Sequence, residues 1–277
     1  MDSSAPIGIF DSGVGGLTVM RKLIAQMPHE NVVYFGDTAR VPYGNKSKET
    51  VLRYTHQIIR FLQTKNVKAI IIACNTASAF ALHEVEKAYP LPILGVIQPG
   101  AQAAVNASAA HQTSGNRIGV IGTYATIGSR AYETLIKKID PESQVFNQAC
   151  PLLVPFVEEG LLEDPLTDEI IARYLSGLKA QEIDTLVLGC THYPLLRPAI
   201  ERYMGAAVTC IDPAEAVSQQ LQNVLETAGL LRQVGDAGAA PHYECYVSDA
   251  AEKMTEFANR ILPFQIENVH KINIETY

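Results

Sequence analysis

The chain has no dense run of basic residues, no long apolar run and no closely spaced pair of cysteines. Each absence removes a class of protein. Its 22 Lys and Arg stand against 29 Asp and Glu, a net charge of −7. An acidic chain without a Lys/Arg stripe lacks the electrostatic footprint of nucleic-acid binding, so no nucleic-acid partner is expected. The longest apolar runs, such as Ala69 to Cys74, fall far short of the roughly 18 residues that a membrane span needs, so no membrane partner is expected either. The opening residues, Met1-Asp2-Ser3-Ser4-Ala5-Pro6, carry neither a basic start nor an apolar stretch and do not read as a secretory signal. Low-complexity segments and long charge blocks are also missing.

The five cysteines, Cys74, Cys150, Cys190, Cys210 and Cys245, are odd in number and widely scattered. That argues against a disulfide framework and for free thiols in a reducing cytoplasm. What is present is apolar material. Hydrophobic residues make up 47% and charged residues 18% of 277, enough to bury a sizeable core in two ordinary domains or one large one.

Short β-branched runs alternate with longer amphipathic stretches. Strands are expected at Ile7–Asp11, Asn31–Gly36, Lys68–Ala73, Arg117–Gly122, Gln144–Ala149, Asp184–Gly189 and Val208–Ile211. Helices are expected at Gly16–Met27, from a Ser47 cap to about Thr64, and at Thr126–Ile139, Asp168–Ala180 and Ala214–Leu225. Such alternation gives an α/β fold with a mainly parallel sheet. The pattern also repeats. Ile7-Gly8-Ile9-Phe10-Asp11 is echoed 111 residues later by Ile118-Gly119-Val120-Ile121-Gly122. The strand ending at Cys74-Asn75-Thr76 is echoed 116 residues later by the one ending at Cys190-Thr191-His192. The Pro-rich stretch from Pro90 to Pro99 is the candidate linker, and a polar loop at 228–240 interrupts a tail that returns to complete the first half.

Ligands of open α/β sheets bind at the carboxyl ends of the strands. Four polar clusters sit there: Asp11-Ser12-Gly13, Asp37-Thr38 with Pro42-Tyr43-Gly44, Cys74-Asn75-Thr76 and Cys190-Thr191-His192. A cysteine between a strand and a helix start is expected to have its thiol pKa lowered by backbone N–H groups and the helix dipole. Two such thiols from related halves suit stereoinversion, in which one removes a proton from carbon and the other supplies one to the opposite face. Ser12, Asn75, Thr76 and Thr191 are short donors that can hold a carboxylate or simply cap helices. Asp11 and His192 are placed to assist the thiols, and Asp11 also to hold an ammonium group. The Gly13-x-Gly15-Gly16 spacing has Thr18 where a dinucleotide fingerprint needs glycine, so close backbone approach at a tight turn is the better reading. Cys74, Cys190 and His192 fit no common zinc spacing.

Four segments carry a family likeness. Ile7-Gly8-Ile9-Phe10-Asp11-Ser12-Gly13-Val14-Gly15-Gly16-Leu17-Thr18 and Tyr34-Phe35-Gly36-Asp37-Thr38-Ala39-Arg40-Val41-Pro42-Tyr43-Gly44 are the first two. Ala73-Cys74-Asn75-Thr76-Ala77-Ser78 and Leu188-Gly189-Cys190-Thr191-His192-Tyr193-Pro194-Leu195-Leu196 follow in order. Together they resemble the motifs of the glutamate racemases, within the aspartate/glutamate racemase family. The resemblance implies two pseudo-symmetric α/β domains with mainly parallel sheets and an active site in the cleft between them, divided as 1–97 plus 208–277 and 98–207. It implies cofactor-independent interconversion of L- and D-glutamate, supplying D-glutamate for peptidoglycan in a bacterial cytoplasm, by a homodimer. Under it Cys74 and Cys190 are the acid/base thiols, acting on the D- and L-enantiomer respectively, and Asp11 and His192 assist them. Asp11-Ser12, Tyr43-Gly44, Asn75-Thr76 and Thr191-His192 are the substrate-binding pairs. A glutamate near the second thiol falls in Val154-Pro155-Phe156-Val157-Glu158-Glu159-Gly160, with Glu158 taken as that residue and Glu159 its rival. The alternatives are aspartate racemase, more distantly hydantoin racemase or maleate isomerase, a Cys-His hydrolase using Cys190, and a noncatalytic amino-acid-binding protein.

Overall fold

The computed structural model describes residues 2–111, 116–232, 240–266 and 268–277. Most of the polar loop read at 228–240 lies outside them. The described strands are β1 (Ile7–Asp11), β2 (Val32–Gly36), β3 (Ala69–Ile72), β4 (Ile93–Gly95), β5 (Arg117–Gly122), β6 (Gln144–Ala149), β7 (Thr185–Gly189), β8 (Thr209–Ile211), β9 (Tyr243–Val247) and β10 (Val269–Lys271). The helices are α1 (Leu17–Gln26), α2 (Lys48–Thr64), α3 (Asn75–Ala88), α4 (Ile97–Ala110), α5 (Tyr124–Gly128), α6 (Ala131–Ile139), α7 (Leu153–Glu158), α8 (Pro165–Ala180), α9 (Arg197–Met204), α10 (Pro213–Thr227) and α11 (Ala251–Ile261).

The strands form two sheets, ordered β10-β9-β2-β1-β3-β4 and β6-β5-β7-β8. Every pairing between them is parallel. The run β2-β1-β3-β4 has the same order as β6-β5-β7-β8, so the repeat heard in the sequence is a repeat of topology. Alternating side chains of the first sheet feed two cores. Ile7, Ile9 and Ile71 join a cluster continuous with the second sheet, while Phe10, Ile70 and Ile72 face a separate one under α2 and α3.

The halves also exchange helices. α4 leaves the first sheet after β4 but packs on β5, β7, β8 and α6. α10 leaves the second sheet after β8 but packs on α1 and touches β4, and α4 and α10 lie against each other. Local signals fix the helix starts. Ser47, Asp164 and Asp212 accept N–H bonds at the starts of α2, α8 and α10, and proline occupies the first turn of the last two.

Three expectations are corrected. The Pro90–Pro99 stretch is not a linker: it holds β4 and opens α4, where Pro99 sits in a first turn whose N–H groups need no helical partner. The helix expected over Thr126–Ile139 is two helices, broken at Arg130, whose backbone is left-handed at φ 54°. The strand at 208–211, read with the returning tail, pairs with β7 in the second sheet, and the chain rejoins the first sheet only when β9 pairs with β2. No helix among the described residues is long and apolar enough to cross a membrane.

Candidate active site

The carboxyl ends of β1, β3, β5 and β7 meet around one narrow, partly enclosed cleft with a cavity volume of about 60 Å³. Ser12, Tyr43, Gly44, Cys74, Asn75 and Thr76 line it from the first sheet's side. Glu158, Cys190, Thr191 and His192 line it from the other. The catalytic and substrate-binding residues expected from the resemblance therefore converge here except Asp11, which lies fully buried behind the wall; Asp37 and Thr38 of the second polar cluster, and Glu159, do not line the cleft. Its carboxylate accepts from the Gly13 N–H at 3.0 Å and from Thr191 Oγ1 at 3.4 Å.

Cys74 is the residue immediately before α3, and Cys190 follows β7 directly. Both are buried, at 6% and 7% exposure, so a ligand must be enclosed to reach them. The backbone help expected at Cys74 is present: the Ala77 N–H and the Ser12 side chain favour its thiolate. Burial, and then the neighbouring Asp11 charge, outweigh them, and the thiol is pushed up to about 12. The expectation of a lowered pKa is thus reversed at Cys74, because the sulfur has almost no water.

The second thiol has different company. His192 Nδ1 lies 3.8 Å from Cys190 Sγ, and His192 Nε2 lies 3.2 Å from Glu158 Oε1. Burial alone would make this histidine neutral. Its hydrogen bonds to Cys190 and Glu158 win, and its pKa is pushed up to about 10. Glu158 is held down at about 2, chiefly by the His192 hydrogen bond and also by Lys253, whose Nζ donates to Oε2 at 2.9 Å. An imidazolium then points one N–H at the sulfur and the other at a carboxylate, an arrangement that stabilises negative charge on sulfur. Of the two glutamates weighed from the sequence, Glu158 makes this contact, while Glu159 is exposed.

Direct hydrogen bonds join the two sides. Thr18 Oγ1 donates to the Thr191 carbonyl at 2.9 Å, and Tyr132 donates to Asn75 Oδ1 at 2.7 Å. Thr76 Oγ1 lies 3.0 Å from Thr123 Oγ1 and 3.1 Å from Thr126 Oγ1. Thr123, Thr126 and Tyr132 were missed in the sequence. For Thr123 a signal existed, since it follows the repeat strand β5 as Ser12 follows β1. Nothing marked Tyr132. The glycine motif is explained by crowding: a Cβ on Gly15 would stand 2.4 Å from Thr191 Oγ1 and 2.5 Å from the His192 ring. Among the described residues no group of three or more His, Cys, Asp or Glu is arranged to hold a metal.

The fold and cleft define a class: a two-sheet α/β enzyme with a thiol from each half facing a common small-molecule site. Residues 7–221 match the Asp/Glu/Hydantoin racemase family, and the chain belongs to that family as an amino-acid racemase, an isomerase. It is 45% identical over 269 residues to the glutamate racemase of Geobacter metallireducens, covering 97% of each chain. The glutamate racemase RacE1 of Bacillus anthracis superposes with a TM-score of 0.90 at 37% identity, over 98% of both chains. The glutamate racemase of Francisella tularensis, solved with D-glutamate, superposes at 0.89 with 36% identity, over 99% of this chain and 100% of that one.

Proposed function

We propose that the chain interconverts L- and D-glutamate without a cofactor, by proton transfer at Cα between two thiols. The observation that carries the reading is that Cys74 and Cys190, from opposite sheets, open into one cavity, in a chain 45% identical to a glutamate racemase over nearly its whole length. In the L-to-D direction the Cys190 thiolate takes the α-proton, breaking C–H and forming S–H. The Cys74 thiol then gives its proton to the other face of the carbanion. Each thiol ends in the other's starting state, and the reverse reaction restores both. Burial that keeps Cys74 protonated suits an acid, and the imidazolium beside Cys190 suits a base.

The remaining roles follow from position. Among the described lining residues there is no Lys or Arg. The substrate carboxylates are therefore assigned to neutral donors, Ser12, Asn75, Thr76 and Thr191, with the backbone N–H groups around Tyr43-Gly44 and the start of α3. Such donors also stabilise the charge that develops when Cα is deprotonated. Asp11 supplies negative charge behind the ammonium group, and Glu158 orients His192. The two-lobe division, residues 1–97 with the segment after β8 against 98 to β8, lets the cleft open and close on substrate. We place the protein in the bacterial cytoplasm as a source of D-glutamate for peptidoglycan. We also propose a homodimer, which would cover exposed Val41, Tyr124 and Leu152, with sedimentation velocity as its check.

Proton NMR in deuterated water, with L-glutamate and L-aspartate in parallel and no added cofactor, tests the reading. Loss of the glutamate α-proton signal together with appearance of the D-enantiomer is expected. Exchange on aspartate alone would make this an aspartate racemase, and binding of glutamate without exchange would make it a binding protein. Full activity in Cys74→Ser would favour a Cys-His hydrolase.

A further inference from the structure

α11 belongs to the returning segment and packs on β9, β10 and α1, on the first sheet's side of the molecule. Three of its residues, at i, i+4 and i+7, share one face, and all three meet the His192–Glu158 pair of the other half. Lys253 Nζ donates to Glu158 Oε2 at 2.9 Å. The Phe257 ring meets the His192 ring edge-on, with centroids 6.3 Å apart. Arg260 Nη2 donates to the Glu158 carbonyl at 3.1 Å, satisfying the last carbonyl of the short α7. Glu158 is thus gripped at its carboxylate and its backbone by a helix from the opposite side.

We propose that Lys253 is a positioning residue for the proton relay at Cys190, its ammonium holding the Glu158 carboxylate against His192 from the opposite half of the molecule. The proposal rests on the reading of Cys190, His192 and Glu158 as one relay. The geometry divides the labour: Glu158 spends one oxygen on each partner, Oε1 on His192 and Oε2 on Lys253. With both oxygens engaged, the carboxylate cannot swing away from the imidazole. Lys253 is half exposed, at 51%, and its other charged neighbours are Glu159 and Arg260. A pair so open to water adds little to stability, so its effect should show in turnover rather than in folding. Because α11 and Glu158 stand on different halves, the contact also ties the relay to the relative position of the halves.

The test uses the purified full-length protein with L- and D-glutamate and four variants: Lys253→Met, Lys253→Arg, Glu158→Gln and the Glu158→Gln/Lys253→Met double variant. Lys253→Met is expected to keep the wild-type Tm and to lower kcat by roughly threefold to tenfold. Its alkaline limb should move to lower pH, since a carboxylate free to swing away no longer holds the imidazolium. Lys253→Arg should restore both. In the double variant the lysine change should add no further loss, because its route runs through Glu158. The two enantiomers are equal in energy, so kcat/KM falls equally in both directions, and kcat and KM are compared separately. A wild-type kcat and pH profile in Lys253→Met, beside an impaired Glu158→Gln, overturns the proposal and leaves the relay standing. A further loss in the double variant also overturns it. Wild-type behaviour in Glu158→Gln overturns the relay itself. Should the methionine variant prove unstable, Lys253→Gln is read by the same criteria.

Discussion

Glu158 Oε1 and His192 Nε2 stand 3.2 Å apart, while the imidazole's other nitrogen faces Cys190 Sγ at 3.8 Å. This pair makes both stability and activity depend on pH in directions that can be worked out. Glu158 is held at about 2 in the folded chain, below the ~4.3 of a free glutamate. Its contribution is therefore complete above about 4.3 and is lost as pH falls toward 2. His192 is raised to about 10, above the ~6.5 of a free histidine. Its contribution is complete below about 6.5 and fades as pH rises toward 10. Urea midpoints of wild type against Glu158→Gln should differ by a constant amount near neutrality and converge below about pH 4. Those against His192→Asn should converge in the alkaline range. Differences that stay flat from pH 3 to 10 would show that neither group titrates as the geometry requires.

The two thiols should fail separately. Replacing either Cys74 or Cys190 by alanine removes one proton carrier, so inversion should fall by about 10²–10⁴. Exchange without inversion should survive on one enantiomer only. Cys74→Ala, which keeps the His192-supported thiol, should wash deuterium into L-glutamate, and Cys190→Ala into D-glutamate. NMR exchange and polarimetry on the same samples check this. The opposite pattern would reverse the assignment of faces, and equal inversion in either variant would end the two-thiol scheme. Cys150, Cys210 and Cys245 are buried away from the cleft, and their replacement by alanine should leave racemisation within about twofold, the ordinary reach of a small packing change.

Glycine at position 15 is demanded by close approach, not by backbone angle. In Gly15→Ala the new methyl would press on Thr191 and His192 together. Both belong to the cleft, so kcat should drop about 100-fold or more, as expected when catalytic groups are misplaced by an ångström. Gly128→Ala is the contrast. Its Cβ would meet nothing within 4 Å, it sits in α5, and alanine there should be neutral or add up to ~1 kcal/mol of stability. Assays and melting curves on the two variants separate crowding at the site from a general intolerance of alanine.

Much of this was readable in the chain because parallel sheets leave a strong trace. Ala69–Ile72 is buried on both faces, and its apolar run says so. The paired cysteines stood at matching ends of matching strands, so the repeat pointed to the cleft before any contact was known. What stayed hidden depended on three dimensions. Nothing local marks α4 and α10 as exchanged between halves, because each is amphipathic wherever it packs. The break falls on Arg130, a residue with no special backbone freedom, and Gly128-Ser129 just before it is a signal that the apolar pattern overrides. The protonated state of Cys74 is set by burial and by Asp11, 63 residues away in the chain, so the local rule about helix starts gave the wrong sign. Tyr132 is an ordinary helix residue until its hydroxyl is seen on Asn75.

Asp37 directly follows β2 and, although it does not line the cleft, anchors the loop that does. Its side chain is fully buried and accepts from Arg40 Nε at 2.7 Å, from Ser248 Oγ at 2.8 Å and from the Tyr43 hydroxyl. Arg40 in turn reaches Gln57 at 2.6 Å and Glu275 at 3.2 Å, and stacks 3.9 Å over the Tyr54 ring. The loop carrying Tyr43 and Gly44 is therefore tied to α2, to the end of β9 and to the chain's C-terminal turn. Asp37→Asn keeps the shape but removes the charge that compensates a nearly buried guanidinium. Breaking one partner of such a pair costs about 3–5 kcal/mol, which the asparagine's remaining hydrogen bonds should reduce to about 2–3 kcal/mol. That corresponds to a fall in Tm of the order of 5–10 °C for a chain of this size. Because Tyr43 and Gly44 form one wall of the cleft, KM should rise more than kcat falls. A large Tm loss with unchanged KM would confine Asp37 to holding the fold and detach it from the substrate wall.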